Sequence, residues 1–444
     1  MVLAEAGFEV EIVEMRDDEE WTPEDDGGLA KAASATKRSI NLALSHRGLC
    51  ALGRVGLAET VLAQSVAMHS RFLHLADGST ATQAYGGPGD AIYSVSRSRV
   101  VSILSAEAAR RGVRFRRDKL VGLDDDDAAV FASGARGQAP IFGCDGAFSA
   151  TRRAMERRGR HDSRVWYASQ GYKELGMPAK EGGDYAFPPN YLHIWPRGDL
   201  MLTALPNNDG SFTATLFAPF DRIEALEKAS RDDVRIFFED FFPDALGAMP
   251  EAVDDFFQNP TAPLVQVQLN PWHRGDAVLC LGDASHAVVP FYGQGMNAAF
   301  EDCLVLGEIF DRQGGALDLR AAFEEMSTAR RAAADGLSTL AVMNYRDMAS
   351  NTASSLYRAR KVLEGIVSAY LTCWHPLYSM VTFSRLPYDA VLRRHARQEA
   401  ALTALCAGLV VITVATLLAA FATASRRIYL GLLGGGAAGL RRLL

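Results

Sequence analysis

The chain has 444 residues, of which 48% are hydrophobic and 22% are charged, and its formal net charge is −7. This length and balance predict a globular protein of one to three domains, and the negative charge excludes the basic surface typical of nucleic-acid binding. Six cysteines are scattered without the spacing of a metal site, so they indicate free thiols in a reducing compartment.

The first fifteen residues indicate part of a nucleotide-binding unit. Gly7 is typical of a helix C-cap, and Phe8–Glu14 alternates as a strand does. In such units an acidic residue that closes the second strand binds the adenosine ribose, which suits Glu14 and places Arg16 near the ribose or the phosphates. By itself, a glutamate at a strand end is more often structural. The first strand and its glycine-rich turn are missing, and we expect their coding segment upstream of Met1.

Residues 66–85 predict a β-hairpin that carries two candidate binding residues. The strand around Arg71 turns at Asp77-Gly78, and Tyr85 lies on the returning strand. A hairpin of this length can bring both side chains to one pocket, where a guanidinium and a phenol would hold a carboxylate. On their own, a surface arginine and a packed tyrosine are the simpler explanation.

Two kinds of structure are predicted beyond the hairpin. Tyr93–Arg97 leads into a helix over residues 100–111, a strand follows as far as Leu120, and Asp145-Gly146 follows another strand. The alternating runs in residues 165–268 predict a mostly antiparallel sheet. Candidates for the lining of an apolar aromatic slot are Phe217, Phe220 and Pro290–Tyr292.

The most informative stretch is Val278–Asp302, VLCLGDASHAVVPFYGQGMNAAFED. It predicts a buried strand, a turn at Gly282-Asp283 and a helix that begins at Gly295 after a glycine. A carboxylate at a strand end can bind a polyol hydroxyl, and a glycine-flanked helix start offers free N–H groups and a positive dipole end. A reduced flavin is negatively charged at its pyrimidine edge, so the pattern favours a flavin site over an ordinary strand–turn–helix.

The C-terminal third predicts helices and a membrane anchor. Residues 319–369 are helical with a polar break at 349–355, and Ala400–Ala424 contains no charged residue in 25 positions. A helix needs about 20 residues to cross a bilayer. A buried core helix is the alternative, and arginines on both flanks leave the orientation open.

The chain as a whole resembles the FAD-dependent aromatic hydroxylases, and among them those that act on L-kynurenine. The resemblance extends from about Ala6 to the C-terminal tail. Besides Val278–Asp302, the matching segments are SINLALSHRG (39–48), IFGCDGAFSATR (141–152), NYLHIWPR (190–197), LPNNDGSFTATLFAP (205–219) and VTFSR (381–385). At Ala150 the chain departs from the polar residue that this family often has.

The resemblance implies a set of site residues. The implied substrate ligands are Arg71, Tyr85, Tyr388 and Asn351, the last because the family's asparagine aligns with Ala353. The implied cofactor contacts are Glu14, Arg16, Ala43, Arg97, Leu120, Asp283, Gly293, Gln294, Gly295, Met296 and Asn297.

The resemblance also implies the fold, which is α/β: a Rossmann-like FAD-binding domain without its first strand, an inserted antiparallel-sheet substrate domain, C-terminal helices and a membrane helix. The predicted boundaries are 1–62, 94–164 and 270–320 for the FAD-binding domain, 63–93 and 165–269 for the substrate domain, 321–399 for the helical region, 400–424 for the membrane span and 425–444 for the tail.

The activity implied by the resemblance is hydroxylation of L-kynurenine to 3-hydroxykynurenine with NADPH and O2, through a flavin C4a-hydroperoxide. Neither a protein nucleophile nor a metal is required. In an organism with mitochondria, the expected location is the mitochondrial outer membrane. Two alternatives stay open: an inactive membrane-anchored remnant that cannot hold FAD, and a flavin hydroxylase for another aromatic acid.

Overall fold

The computed structural model describes residues 1–15, 41–87, 89–138, 140–349, 355–371 and 373–440. Its strands are β1 Glu11–Glu14, β2 Asn41–Leu44, β3 Val66–Met68, β4 Ser70–His74, β5 Thr80–Ala84, β6 Ile92–Ser96, β7 Arg114–Arg117, β8 Leu120–Leu123, β9 Ala129–Phe131, β10 Arg136–Gly137, β11 Ile141–Gly143, β12 Asp162–Met177, β13 Tyr191–Arg197, β14 Leu200–Pro206, β15 Phe212–Pro219, β16 Ala262–Asn270, β17 His273–Arg274 and β18 Val278–Cys280.

The helices are α1 Val2–Glu5, α2 His46–Arg54, α3 Ala58–Leu62, α4 Arg97–Arg110, α5 Ala150–Arg158, α6 Phe220–Glu227, α7 Arg231–Phe241, α8 Pro243–Leu246, α9 Ala252–Gln258, α10 Asp283–His286, α11 Gly295–Gln313, α12 Leu319–Ala349, α13 Ser355–Tyr370, α14 Leu377–Thr382 and α15 Tyr388–Leu440. A 3₁₀ turn, Pro290–Tyr292, separates α10 from α11.

Parallel strands form where the sequence predicts a Rossmann-like unit. β1 pairs in parallel with β7, and β11 pairs in parallel with β18. Parallel neighbours need a crossover connection, so their carboxyl ends point the same way and place the following turns at one edge. Within the described residues these two pairings belong to separate sheets. The expected first strand stays a prediction.

The predicted antiparallel sheet is a seven-stranded one with the order β16-β12-β15-β14-β13-β4-β5. Its neighbours are antiparallel except for β13 and β4, which run in parallel. Helices α7 to α9 pack on one face around Phe212, Phe238 and Phe256. A capping box at Ser230 and Asp233 starts α7, because each side chain bonds the other's backbone N–H. Because β4 pairs with β13, the hairpin that carries Arg71 is part of this sheet.

Several predicted boundaries differ from the structure. The strand expected to reach Leu120 ends at Arg117, and the helix expected over residues 100–111 begins earlier, at Arg97. Leu120 instead begins β8, which lies in a three-stranded antiparallel sheet with β9 and β10. A charged turn, Asp118-Lys119, separates the two strands, and Asp118 bonds Arg116 and Ser133 there.

The apolar C-terminal stretch lies in α15, which is 53 residues long. Leu402 is buried against the body, whereas Val411 and Phe421 are 67% and 73% exposed. In the described part of the chain, Tyr388–Arg426 is the one helix whose length and composition would suit a membrane span. The helix therefore leaves the body a few residues after Leu402 with an apolar surface around it.

Two buried histidines lock β4 against β13 and α8. His74 Nδ1 lies 2.8 Å from Asp244 Oδ2, and His74 Nε2 lies 3.0 Å from His193 Nδ1. His193 Nε2 in turn lies 2.8 Å from the carbonyl oxygen of Pro188. Burial lowers the pKa of His193 to about 4. Burial opposes the charge of Asp244, but hydrogen bonds from His74 and Trp195 outweigh it and hold the pKa of that carboxyl at about 2.

Acidification from pH 6.5 to about pH 4 should lower the free energy of unfolding by about 3 kcal/mol through His193. The folded-state pKa lies below the unfolded value, so the unfolded chain binds the proton first. The stabilisation is complete above pH 6.5 and is lost as the pH falls to about 4. Urea unfolding at a series of pH values measures this slope. His193→Gln should flatten it, whereas the exposed control His69→Gln should leave it unchanged; equal slopes in all three proteins would contradict the assignment.

Candidate active site

The start of α11 is an open helix N-terminus that follows a tight turn. The turn Pro290–Tyr292 leads to Gly293, whose φ of 64° favours glycine, and a Cβ there would lie 3.2 Å from that of Ala43. The backbone N–H groups of Gly295, Met296 and Asn297 have no acceptor among the described residues. These three amides and the helix dipole make a positive site for an electron-rich group.

The side chain of Asn297 clamps this helix start to the end of β2. Its Nδ2 donates to the carbonyl oxygens of Ala43, at 2.8 Å, and Gly293, at 2.9 Å, and its Oδ1 accepts from Ser45 N–H at 2.8 Å. The side-chain amide of Asn297 is therefore engaged within the protein, and the predicted contact of this residue with a cofactor would be made by its backbone N–H.

Gln294 is likewise a structural residue in its side chain. It is buried, and its Oε1 accepts hydrogen bonds from the Ser45 hydroxyl at 3.3 Å and the Tyr388 hydroxyl at 3.2 Å. The GQG sequence predicts the helix start correctly, but the side chains of Gln294 and of Asn297 beyond it bond the end of β2 and the start of α15. What the turn can offer a ligand is its backbone.

Two glycines of α2 give a matched test of this clamp. A Cβ at Gly48 would lie 2.5 Å from Leu44 Cδ1 and 2.6 Å from Asn297 Oδ1, whereas one at Gly53 would meet nothing within 4 Å. Gly48→Ala should lower the free energy of unfolding by about 1–3 kcal/mol and weaken FAD binding, because Asn297 must move. Gly53→Ala should be neutral or stabilising by about 1 kcal/mol. Chemical denaturation and FAD titration measure both effects, and equal behaviour of the two variants would contradict the tight contact.

Asp283, which follows β18, and Arg97, which follows β6, lie near each other. Both side chains are exposed, yet the surrounding protein removes enough water to raise the pKa of the Asp283 carboxyl, while the charges of His286 and Arg97 act in the opposite direction. Cys144, after β11, is also exposed, and desolvation raises the pKa of its thiol as well. Exposed side chains whose charges are nevertheless desolvated are what a concave ligand site at the ends of β11 and β18 would give.

The remaining predicted cofactor residues lie on separate elements. Glu14 closes β1, is half-buried and accepts a hydrogen bond from Met15 N–H at 2.9 Å. Leu120 is half-buried at the start of β8, and Ala43 is half-buried in β2 beside Gly293. Arg16 lies outside the described residues, as do the predicted substrate residue Asn351 and its neighbour Ala353.

The hairpin brings Arg71 and Tyr85 together, as predicted from its length, and two further phenols join them. Arg71 Cζ lies 5.8 Å from the centroid of the Tyr85 ring and 4.8 Å from that of Tyr378. The Tyr378 ring stacks on Tyr85 at 4.9 Å and on Tyr292 at 5.5 Å. Burial raises the pKa of all three phenols, so each is a neutral hydroxyl that can donate a hydrogen bond.

Two polar atoms of this cluster are left without partners. Arg71 Nε and the Tyr85 hydroxyl are buried, and neither has a hydrogen bond of normal geometry within the described residues, although the two side chains lie near each other. Buried donors without acceptors are costly and indicate a missing ligand. An anionic group with two oxygens, such as a carboxylate, would satisfy both atoms.

Tyr388 contacts Arg47 and Gln294 rather than Arg71, and its role as a substrate ligand stays a prediction. Its ring packs 4.0 Å from Arg47 Cζ, and its hydroxyl bonds Gln294. Tyr388 starts α15 directly after Pro387 and packs in one buried cluster with Tyr292. The phenol that reaches Arg71 is Tyr378 in α14, which sequence reasoning missed; it lies three residues before the matching segment VTFSR.

An apolar aromatic wall continues from this cluster. Phe291 lies 5.2 Å from Phe217 and 4.2 Å from Tyr345 between ring centroids, and these rings pack with Leu264 and Val289. Phe217 and Phe291 thus lie together as expected for a slot. The third phenylalanine predicted for the slot, Phe220, instead lies against Gly171 and Thr261, where a Cβ at Gly171 would come within 2.9 Å of its ring.

The two halves of the site are contiguous. Ala43 packs against the cluster that contains Tyr85, with Tyr378 at its edge. Tyr292, which stacks on Tyr378, immediately precedes Gly293. The positive helix start and the cluster of Arg71, Tyr85 and Tyr378 are therefore neighbours.

The residues present fit FAD. The unpaired amides at the start of α11 suit the electron-rich edge of a flavin ring, and Asp283 at a desolvated wall suits a ribityl hydroxyl. Glu14 at the end of a parallel strand suits the adenosine ribose. The groups that suit FAD are the backbone amides of α11 and the carboxylates of Asp283 and Glu14, whereas the side chains of Gln294 and Asn297 bond other parts of the protein.

Comparisons with known proteins agree with this chemistry. The FAD binding domain family matches residues 1–312. A kynurenine 3-monooxygenase from Flavobacterium johnsoniae is 40% identical over 365 residues, which cover 80% of this chain and 81% of the relative. That of Caenorhabditis elegans is 37% identical and covers 89% of both chains. A solved structure of 2-methyl-3-hydroxypyridine-5-carboxylic acid oxygenase superposes with a TM-score of 0.64 at 19% identity, covering 80% of this chain and 89% of that chain.

Proposed function

This chain belongs to the kynurenine 3-monooxygenase family of FAD-dependent aromatic hydroxylases, and on that basis we propose that it converts L-kynurenine to 3-hydroxykynurenine with NADPH and O2. As a flavin monooxygenase it requires FAD. The observation that carries the substrate proposal is the pair of buried, unpaired donors, Arg71 Nε and the Tyr85 hydroxyl, beside a flavin-binding turn.

The protein's own groups have three tasks in this reaction. Arg71, Tyr85 and Tyr378 hold the amino-acid carboxylate, which the charge and the neutral phenols attract without any proton transfer. The aromatic wall at Phe217 and Phe291 orients the ring and excludes water from it. The chemistry supplied by bound FAD is acceptance of a hydride from NADPH and activation of O2 for transfer of one oxygen atom to the ring.

The cofactor is held by groups on different elements. The amides of Gly295, Met296 and Asn297 favour negative charge on the flavin ring, and Asp283 binds its polyol chain while Arg97 balances that carboxylate. Glu14 and Arg16 hold the adenosine half. These assignments rest on the geometry of the described residues and, for Arg16, on the sequence.

The direct test uses the full chain in detergent with added FAD. Flavin absorbance after removal of free FAD, NADPH consumption stimulated by L-kynurenine and 3-hydroxykynurenine identified by mass spectrometry are the expected results. Equal or greater hydroxylation of another aromatic acid would replace the substrate. A protein that stays colourless with added FAD would favour the inactive, membrane-anchored alternative.

We also propose that α15 anchors the protein in a membrane, which in an organism with mitochondria is their outer membrane. Residues 400–424 form about 38 Å of helix at 1.5 Å per residue, compared with about 30 Å of bilayer hydrocarbon. Exposed side chains such as Val411 and Phe421 would otherwise face water. Basic residues at Arg393 and Arg426 lie beyond both ends of the span.

Truncation should separate the anchor from the body. A chain that ends after Cys406 keeps the buried Leu402 and should move from the membrane fraction to the soluble fraction with its flavin site intact. A matched control that ends after Arg426 keeps the span and should stay in the membrane fraction. Carbonate extraction followed by centrifugation measures both, and release of the full-length chain by carbonate would contradict the proposal.

A further inference from the structure

A buried network of ion pairs lies beneath the start of α11. Arg47 Nη1 lies 2.6 Å from Glu301 Oε1, and Arg330 Nη1 lies 2.7 Å from Glu301 Oε2. Arg330 Nε lies 2.8 Å from Asp302 Oδ1, and His286 Nε2 lies 2.6 Å from Asp302 Oδ2. All five side chains are buried. The two arginines and the two carboxylates balance each other in charge.

The network joins the turns that form the flavin site. Asp302 Oδ2 accepts a hydrogen bond from Gly282 N–H at 3.0 Å, next to Asp283. Arg330 Nη2 donates to the carbonyl oxygen of Ala298, in the first turn of α11, at 3.3 Å. Arg330 is thus the one described residue that bonds both carboxylates and also the backbone of the helix start.

The same network reaches the segment that carries the substrate phenol. Arg47 Nη2 donates to the carbonyl oxygen of Leu386 at 2.5 Å, and its Nε donates to that of Val381 at 3.4 Å. Val381 lies in α14, one turn after Tyr378. Movement of Glu301 would therefore be transmitted through Arg47 toward the substrate cluster.

The charges also matter for a cofactor that changes its own charge. Burial opposes ionisation of Asp302, but the interactions of this carboxyl with His286 and Arg330 outweigh the effect of burial and lower its pKa. Without Arg330, Glu301 would keep its pair with Arg47, whereas Asp302 would lose its arginine partner and keep its hydrogen bonds with His286 and Gly282 N–H. The excess negative charge would oppose the charge that a flavin gains on reduction, because Coulomb energies are large and poorly screened in a protein interior.

We propose that Arg330 is a positioning residue that sets both the geometry and the electrostatic potential of the flavin-facing start of α11. The inference rests on FAD binding by this chain and does not depend on the identity of the aromatic substrate. A purely structural salt bridge would support folding without controlling the reduction potential.

Four variants separate the two roles in the full chain loaded with FAD. Arg330→Met leaves one excess negative charge and should lower the flavin midpoint potential, and Glu301→Gln leaves one excess positive charge and should raise it. The double variant Arg330→Met/Glu301→Gln restores the balance and should return the potential close to that of the native chain. Arg312→Met removes an exposed arginine at the far end of α11, paired with Glu325, and should change nothing.

The readouts are spectroelectrochemical potentials without substrate and FAD affinity by fluorescence quenching. Arg330→Met should weaken FAD binding by about tenfold or more, since a buried charge loses its partner. The fall in its potential should shrink at low pH, where the unpaired carboxylate takes up a proton. If Arg330→Met does not fold, the midpoint potentials of Glu301→Gln and of the double variant still test whether this network sets the potential of the flavin.

Equal potentials in Glu301→Gln, the double variant and the native chain would overturn the proposal, as would a double variant shifted further than either single one. Failure of the native chain to bind FAD would instead contradict the proposed function, so the two failures are distinguishable.

Discussion

Replacing Arg71 with methionine should raise the KM and the Kd for L-kynurenine by about 100-fold or more, because loss of a desolvated charge partner typically costs 2–5 kcal/mol. The methionine keeps most of the aliphatic volume against Tyr85 and Tyr378 and removes only the charge and its donors. FAD affinity should stay unchanged, since Arg71 touches the substrate cluster and not the α11 start. Isothermal titration and steady-state kinetics in the full chain give the two constants.

Two further variants sharpen this prediction. Tyr85→Phe removes a single hydroxyl donor and should weaken substrate binding by about tenfold, the usual size of one buried hydrogen bond. Arg164→Met, an exposed arginine on β12 whose Nε lies 3.8 Å from Asp162, is the matched control and should leave both constants unchanged. An unchanged Kd in Arg71→Met would remove this arginine from the substrate site and leave the unpaired donors unexplained.

Replacing Asn297 with aspartate should abolish measurable FAD retention and lower the free energy of unfolding by about 3 kcal/mol. The aspartate can still accept from Ser45 N–H, but it cannot donate to the carbonyl oxygens of Ala43 and Gly293. It also adds a buried negative charge where the amides of α11 favour an electron-rich ligand. The helix start and the strand beside it should therefore separate.

The measurements are flavin absorbance of the purified protein and chemical denaturation with and without FAD. Asn190→Asp is the control, because Asn190 is exposed and donates to a single carbonyl oxygen, that of Ala67, at 3.0 Å. A chain with aspartate at position 297 that retains FAD as well as the control would show that the clamp is not needed to form the cofactor site.

The site combines two kinds of surface that the fold joins at one place. The cofactor half is built from backbone groups at strand and helix ends, whose direction is set by the α/β framework. The substrate half is built from side chains on the hairpin β4–β5, on the 3₁₀ turn and on α14. Tyr292 connects the two halves, because its ring stacks on Tyr378 and its backbone continues directly into Gly293.

The sequence by itself determined the elements whose signals are local. The alternation and the turn at Asp77-Gly78 predicted the hairpin that carries Arg71 and Tyr85, and the glycines around Gln294 predicted the start of α11. The apolar run 400–424 predicted a helix that its neighbours do not cover. Such signals suffice because backbone geometry and hydrophobic periodicity depend on adjacent residues.

Only the tertiary structure decided which side chain each element presents to the site. Tyr378 and Tyr388 lie ten positions apart, one before and one after the matching segment VTFSR, but they belong to different helices. The ring of Tyr378 lies 4.8 Å from Arg71 Cζ, whereas the hydroxyl of Tyr388 bonds Gln294. Asn297 and Gln294 are predicted cofactor residues, and their side chains bond Ser45 and Tyr388, which lie more than 90 positions away in the sequence. Contacts of this kind are made by packing between distant segments, and no local pattern of residues records them.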